Sequence, residues 1–352
     1  MKKEIIKFIL YLILLTQLLI TTKIRKISKR LENQKYNNTP NNTNLTKIKN
    51  DIDNKINKQN IIDNEKYLQY QSYFCENQLV FKNILLEEMI KLVKINIKNT
   101  KFDMYVYKND DNVSKRILKN GYWELEETDN LLSALLFYTK KKNIEKKDAY
   151  ILDIGANIGW YSMFFGNNGF NIVSFEPSKR NYYILLKNYC LNQDNNMRII
   201  NKGLDVEEKN AILYHPFENL GNAIIFHNNF QKNKNNYLKE EIKLTKLNNY
   251  FEFFKNKNLA LIKLDIEGSE GKAIQGGIDF IIKFHIPFIF MEFNPTRLKK
   301  QGTEPKEFLE IFENNGYKIS DRNFLSKKYV SINDLLKRRF INIYISYIKF
   351  ID

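Results

Sequence analysis

The sequence predicts an α/β fold in which a parallel sheet is covered by helices on both faces. Two patterns predict it. From about residue 150 onward, apolar runs of strand length alternate with helical periods. The first of these runs also leads straight into a glycine-bearing turn, Asp153-Ile-Gly155-Ala-Asn157-Ile-Gly159, after which a helix begins. Sheets of this kind bind ligands beyond the C-terminal ends of their strands, so those ends are where chemistry is to be sought.

The N-terminal elements lie outside that pattern. Ile5 to Thr22 reads IIKFILYLILLTQLLITT, with Lys7 as its only charge. The uninterrupted run from Phe8 is short of the roughly 20 residues that a span needs, but Lys7 can reach the headgroups and restore most of the length. A cleavable signal peptide would end in a small-x-small site; here Lys23, Arg25, Lys26, Lys29 and Arg30 follow instead. The expectation is a single-pass membrane anchor with a basic flank over residues 1–30. The basic flank favours a cytosolic catalytic domain, whereas acceptor sequons at Asn37, Asn41, Asn44 and Asn112 would matter only in a lumen. The sequence leaves the side open. Residues 31–65, rich in Asn, Lys and Thr and without a period, read as a disordered stalk.

Charge and composition narrow the function classes. The 352-residue chain carries a net charge of +16, which invites a nucleic-acid reading, but residues 1–60 hold thirteen basic and four acidic residues and leave only +7 for the rest. No nucleic-acid partner is expected. With 43% hydrophobic residues the remainder can build a large core. Cys75 and Cys190 are the only cysteines, too few for a disulfide framework and lacking CxxC spacing, and His215, His227 and His285 show no ligand spacing. No metal is expected.

Residues 66–148 read as a lead-in. Apolar residues recur with helical spacing between Tyr67 and Ile97, Phe102–Tyr107 alternates like a strand, and Leu131–Tyr138 is helical. Residues 149–352 form the core. The predicted strands are Tyr150–Ile154, Asn171–Phe175, Met197–Lys202, Leu259–Leu264, Phe288–Phe293 and Ile341–Tyr347. The predicted helices are Trp160–Gly166, Lys179–Leu191, Ser269–Phe280 and Pro305–Asn315.

The motifs fall at the strand ends. The G-x-x-x-G spacing of Gly155 and Gly159 permits a sharp turn and close backbone approach to a ligand, and differs from the G-x-G-x-x-G of a dinucleotide fold. Glu176 closes the next strand 21 residues after Gly155, where a carboxylate can accept hydrogen bonds from ribose hydroxyls. The run Lys263-Leu-Asp265-Ile-Glu267-Gly268-Ser-Glu270 places a lysine inside an apolar strand, and a period of two puts Lys263, Asp265 and Glu267 on one face. Burying such charges is costly unless they pair or do chemistry.

Taken with Gly276-Gly277, this run resembles the hallmark of the FkbM-type methyltransferases. The Asp153–Gly159 loop and Phe175-Glu176-Pro177 resemble that family's cofactor segments, and Trp123-Glu124 resembles its lead-in. The resemblance implies a Rossmann-like seven-stranded methyltransferase fold, S-adenosyl-L-methionine as cofactor, and O-methylation of a small-molecule, lipid or sugar hydroxyl. It implies cofactor contacts from Asp153, Gly155, Asn157, Gly159, Glu176, Leu204, Asp205 and Asp265. A base must still take the hydroxyl proton; Asp265 or Glu267 is the candidate, with Lys263 orienting the carboxylate or stabilising oxyanion charge. Trp123 and Glu292 are candidates for the acceptor pocket. A non-catalytic cofactor-binding module on the same fold is the alternative, ahead of a nucleic-acid methyltransferase, whose Asn-Pro-Pro-aromatic and Pro-Cys signatures are missing.

The anchor can be tested directly. Full-length protein is expected to resist alkaline carbonate extraction, while a chain starting near Asn60 is expected to be soluble; carbonate release of the full-length chain would reject an integral anchor.

Overall fold

The computed structural model describes residues 64–76, 78, 84–109, 111–193, 196–216, 223–226 and 237–352. The expected anchor at residues 5–22 and nearly all of the expected stalk lie outside these residues. Among the described residues, no helix is long and apolar enough to cross a membrane.

Helix α1 (Asn64–Glu76), helix α2 (Ile84–Met89) and a hairpin of β1 (Ile90–Ile97) and β2 (Thr100–Tyr107) come first. The helical expectation for Tyr67–Ile97 therefore fails over its last eight residues. Ile90-Lys-Leu-Val-Lys-Ile-Asn-Ile97 also fits a strand, with β-branched residues at four positions. Its antiparallel register with β2, Ile90 opposite Tyr107 through Ile97 opposite Thr100, decides the matter. Helices α3 (Asn112–Asn120) and α4 (Leu125–Lys142) complete the lead-in.

The core follows as β3 (Ala149–Ile154), α5 (Trp160–Asn167), β4 (Asn171–Phe175), α6 (Lys179–Leu191) and β5 (Met197–Ile200). A small second sheet comes next, made of β6 (Gly203–Leu204), β7 (Lys209–Pro216), β8 (Ile224–Ile225) and β9 (Tyr237–Thr245) in the order β6-β9-β7-β8. The chain returns to the main sheet with α7 (Phe251–Phe254), β10 (Asn258–Leu264), α8 (Glu270–Gln275), α9 (Ile278–Phe284) and β11 (Phe288–Phe293). It finishes through α10 (Pro295–Lys300), α11 (Pro305–Asn314), β12 (Tyr317–Ser320) and β13 (Ile341–Tyr347). The helix expected over Ser269–Phe280 is broken at Gly276-Gly277. A Cβ on Gly276 would lie 2.1 Å from the Asp205 carbonyl oxygen, so the break lets two backbones meet.

Seven strands form the main sheet in the order β12-β13-β11-β10-β3-β4-β5. All pairings are parallel except those of β13, which runs antiparallel to both neighbours. Alternation divides the core: Ile151, Leu261 and Phe290 face the side covered by α4 and α5, while Leu152, Ile262 and Met291 face the other. The register sets Lys263 on β10 beside Asp153 on β3 and Phe290 on β11.

The lead-in is fastened to the core. The Gln71 amide on α1 donates to Met197 O and accepts from Ile199 N, both at 3.1 Å, so it pairs with the outer edge of β5. Asn188 on α6 hydrogen-bonds both backbone groups of Tyr105 on β2. Cys75 and Cys190 form a disulfide between α1 and α6 across 115 residues of sequence. Two cysteines so far apart carry no spacing signal, which is why the sequence showed no bridge. Replacing both with alanine is expected to lower stability by about 2–4 kcal/mol, measured as urea unfolding midpoints; an unchanged midpoint would show that the bridge constrains nothing.

Candidate active site

Strand β3 ends at Ile154, and the chain turns at Gly155 with φ +77°. A Cβ there would lie 1.9 Å from the Asp265 carbonyl oxygen, so only glycine lets the loop lie against the end of β10. Gly155 N and Ala156 N both donate to Phe175 O at 3.0 Å, and Asp265 N donates to Ile154 O at 3.1 Å. The ends of β3, β4 and β10 are thereby tied into one rim. A cleft opens over it.

Of the expected cofactor contacts, Gly155, Asn157, Glu176, Leu204 and Asp265 line this cleft. Asp153, Gly159 and Asp205 are not among its lining residues. Asp153 lies beneath the floor, its Oδ2 accepting from Ser162 Oγ at 2.5 Å. Gly159 packs against Leu185, where a Cβ would lie 2.3 Å from Cδ1. Asp205 turns back on its own loop, accepting from Val206 N at 2.6 Å and from Lys209 Nζ at 3.3 Å.

Glu176 locks the rim as well as lining the cleft. Its Oε2 accepts from Asn157 N at 2.8 Å and its Oε1 from Ser178 N at 2.9 Å. Burial pushes its pKa up to about 7, against the pull of those two N–H groups. Asn157 holds a left-handed φ of 52°, and its Oδ1 is buried with no hydrogen-bond partner among the described residues. That oxygen is an acceptor awaiting a donor.

Lys263 is the hub beneath the rim, with only 4% of its surface exposed. Its Nζ donates to Gly155 O at 2.9 Å and lies 3.5 Å from Asp153 and 3.7 Å from Asp265. Burial alone would lower its pKa, but Asp265 and Asp153 outweigh it and hold the ammonium charged above its ordinary range. The two partners differ in setting. The Asp153 side chain is 1% exposed, whereas that of Asp265 is 37% exposed toward the cleft.

A second, larger cavity adjoins the first, and Val113, Trp123, Asn157, Asp265 and Glu267 line both. Glu292 lines the second. Glu267 and Glu292 are bridged by the Arg297 guanidinium, at 3.0 Å from Glu292. Arg297 was not foreseen. Its signal was the Asn294-Pro295 pair that starts α10, since Asn294 Oδ1 caps the helix by accepting from Arg297 N at 3.0 Å. Tyr161 and Glu124 were also missed as a pair: the tyrosine hydroxyl donates to Glu124 Oε2 at 2.6 Å.

Residues 153–319 match the methyltransferase FkbM domain. The matched stretch is just under half of the chain. Such domains are S-adenosyl-L-methionine-dependent, and the cleft lies at the strand ends where that cofactor is expected. No curated protein matches the chain. Among solved structures, the bifunctional kinase–methyltransferase WbdD aligns at 10% identity over 66% of this chain and 41% of its own, with a TM-score of 0.37. The chain thus spans less than half of that protein. A TehB-like S-adenosylmethionine-dependent methyltransferase from Corynebacterium glutamicum aligns at 13% identity over 66% of this chain and 93% of its own, with a TM-score of 0.34. Magnesium protoporphyrin IX methyltransferase from Synechocystis, solved with its cofactor bound, aligns at 10% identity over 68% and 86%, also at 0.34. These likenesses are too distant to carry any chemistry to the FkbM domain here.

Carboxylates outnumber cations around Asp265. Burial, then Asp265, pushes Glu292 up to about 8 and Glu267 up to about 7, even though Arg297 pulls both down. Folding therefore takes up protons at these groups. Their contribution to stability is complete below the ordinary carboxyl range and is lost as pH rises through about 7 to 8. The melting temperature is expected to fall between pH 6 and 9, and Glu292→Gln to remove the upper part of that fall. Scanning calorimetry across that range checks it; an identical pH profile for the variant would reject the assignment.

Proposed function

We propose that the protein methylates a hydroxyl oxygen of a small-molecule or glycan acceptor, with S-adenosyl-L-methionine in the smaller cleft and the acceptor in the larger cavity. The observation that carries this reading is the setting of Asp265. It lines both cavities, exposes its carboxylate toward them, and is held from below by a buried ammonium.

The cleft suits the cofactor. Asn157 Oδ1 lacks a donor among the described residues, and the ammonium of an amino acid would supply one. Glu176 oxygens retain lone pairs for ribose hydroxyls, and Leu204 and Ile225 offer apolar surface for a base. The cofactor, when bound, supplies an electrophilic methyl group. The chain's part is to present the acceptor oxygen and take its proton. Asp265 accepts that proton, while Lys263 fixes the carboxylate's position from below. Glu267, the other candidate base, is committed to Arg297, and with Glu292 it shapes the acceptor side. Much of the rate gain comes from alignment in a confined site.

For location, the reading joins the expected anchor at residues 5–22 to the disulfide. Disulfides form and persist in oxidising compartments, so the bridge and the sequons together favour a domain on the lumenal or outer face.

Asp265→Asn keeps the shape of the site and removes the proton acceptor. Lys263 keeps Asp153 and Gly155 O, so the variant is expected to melt close to wild type. Methyl transfer is expected to fall by about 100- to 10,000-fold with cofactor affinity little changed. The measurements are calorimetric cofactor titration and transfer of labelled methyl into cell-extract acceptors. A folded variant working at the wild-type rate would remove Asp265 from the mechanism.

A further inference from the structure

The larger cavity is anionic in a chain whose net charge is +16. Glu124, Glu126, Glu127 and Asp129, at the start of α4, share its wall with Asp265 and Glu292. The two cations of that wall, Arg116 and Arg297, are both engaged. Arg297 joins Glu267 to Glu292, and the Arg116 guanidinium lies 5.2 Å from the centre of the Trp123 ring.

Glu124 occupies the junction of the two cavities. It follows Trp123, which lines both, and it bonds to Tyr161, which lines the smaller. Its backbone is left-handed, φ 40° and ψ 59°, an unfavourable conformation for a residue with a Cβ. Tyr161 Oη occupies Oε2 at 2.6 Å, whereas Oε1 makes no hydrogen bond among the described residues. The Lys263 ammonium lies 5.4 Å from the centre of the same tyrosine ring, so Glu124 and Asp265 flank one cation. Burial and then the charge of Asp265 raise the Glu124 pKa, opposed by the Tyr161 hydrogen bond and Lys263, so the two carboxylates sense each other.

We propose that Glu124 determines acceptor specificity: its free Oε1 and the Asp265 carboxylate accept from two hydroxyls of one uncharged, polyhydroxylated acceptor, a neutral glycan. This rests on the methyltransferase reading above. Hydrogen bonds from hydroxyls to a carboxylate are of the strong, charge-assisted kind. Trp123 adds apolar surface for the sugar ring. The surrounding carboxylates turn away phosphorylated, sulfated or nucleic-acid acceptors by like-charge repulsion.

The test supplies full-length protein with methyl-labelled S-adenosylmethionine and three acceptor pools: neutral oligosaccharides, sulfated oligosaccharides and single-stranded RNA. Label is expected in the neutral pool. Glu124→Gln should raise the concentration of that pool giving half-maximal rate by about ten- to a hundredfold, with cofactor affinity and melting temperature unchanged. Should that variant misfold, Glu126→Lys on the exposed rim is the second probe, and it should increase labelling of the sulfated pool. Preferential labelling of an anionic pool, or wild-type half-saturation in a folded Glu124→Gln, overturns the proposal. Cofactor binding with no pool labelled overturns it and leaves the methyltransferase reading standing. Failure to bind cofactor at all removes both.

Discussion

The site depends on one buried cation. Lys263 stands inside a strand whose neighbours are apolar, and it is tolerable there because three oxygens surround it: the Gly155 carbonyl and the carboxylates of Asp153 and Asp265. Each belongs to a different part of the rim. Asp153 lies on β3 beside its last residue, Gly155 starts the turn after it, and Asp265 follows β10. The ammonium thus ties these segments together at the end of the paired strands. A buried ion pair of this kind adds little net stability over apolar packing, but it specifies geometry.

Above the hub the balance reverses, and negative charge is in surplus. Asp265, Glu267, Glu292 and Glu124 share a neighbourhood with one divided guanidinium and the ammonium below. Burial and mutual repulsion raise several of these acids together. Proton uptake by these acids relieves part of the repulsion, and a positively charged ligand would relieve more of it by supplying counter-charge.

How legible all this was in the sequence follows from the range of the interactions. The parallel strands of the main sheet were readable because each is a local apolar run closed by a distinctive residue: Asp153, Glu176, Asp265. Gly155 and Lys263 were readable because both break the local rule. Interactions that join distant segments left no mark. The hairpin strand Ile90–Ile97 depends on its partner, and its own residues also satisfy a helical spacing. The small sheet over 203–245 is hidden by a composition rich in Asn and Lys. Asp205 was assigned to the cofactor by its neighbourhood, yet its side chain turns to Lys209. The Glu124–Tyr161 contact spans 37 residues and is set by helix packing, so nothing in either segment announces it.

The Gln71 amide has a consequence of another kind. Strand β5 ends the main sheet, and an uncovered end strand offers its N–H and C=O groups to any extended chain nearby. Gln71 answers Ile199 N and Met197 O as a single peptide unit of a further strand would. The helix that carries it is held by Cys75 to Cys190. Residues before the family-matched region therefore act as a stopper against sheet growth. A trimmed protein that begins after Cys75 would keep the catalytic rim, yet it would expose a pairing edge and a free thiol, two separate routes to self-association.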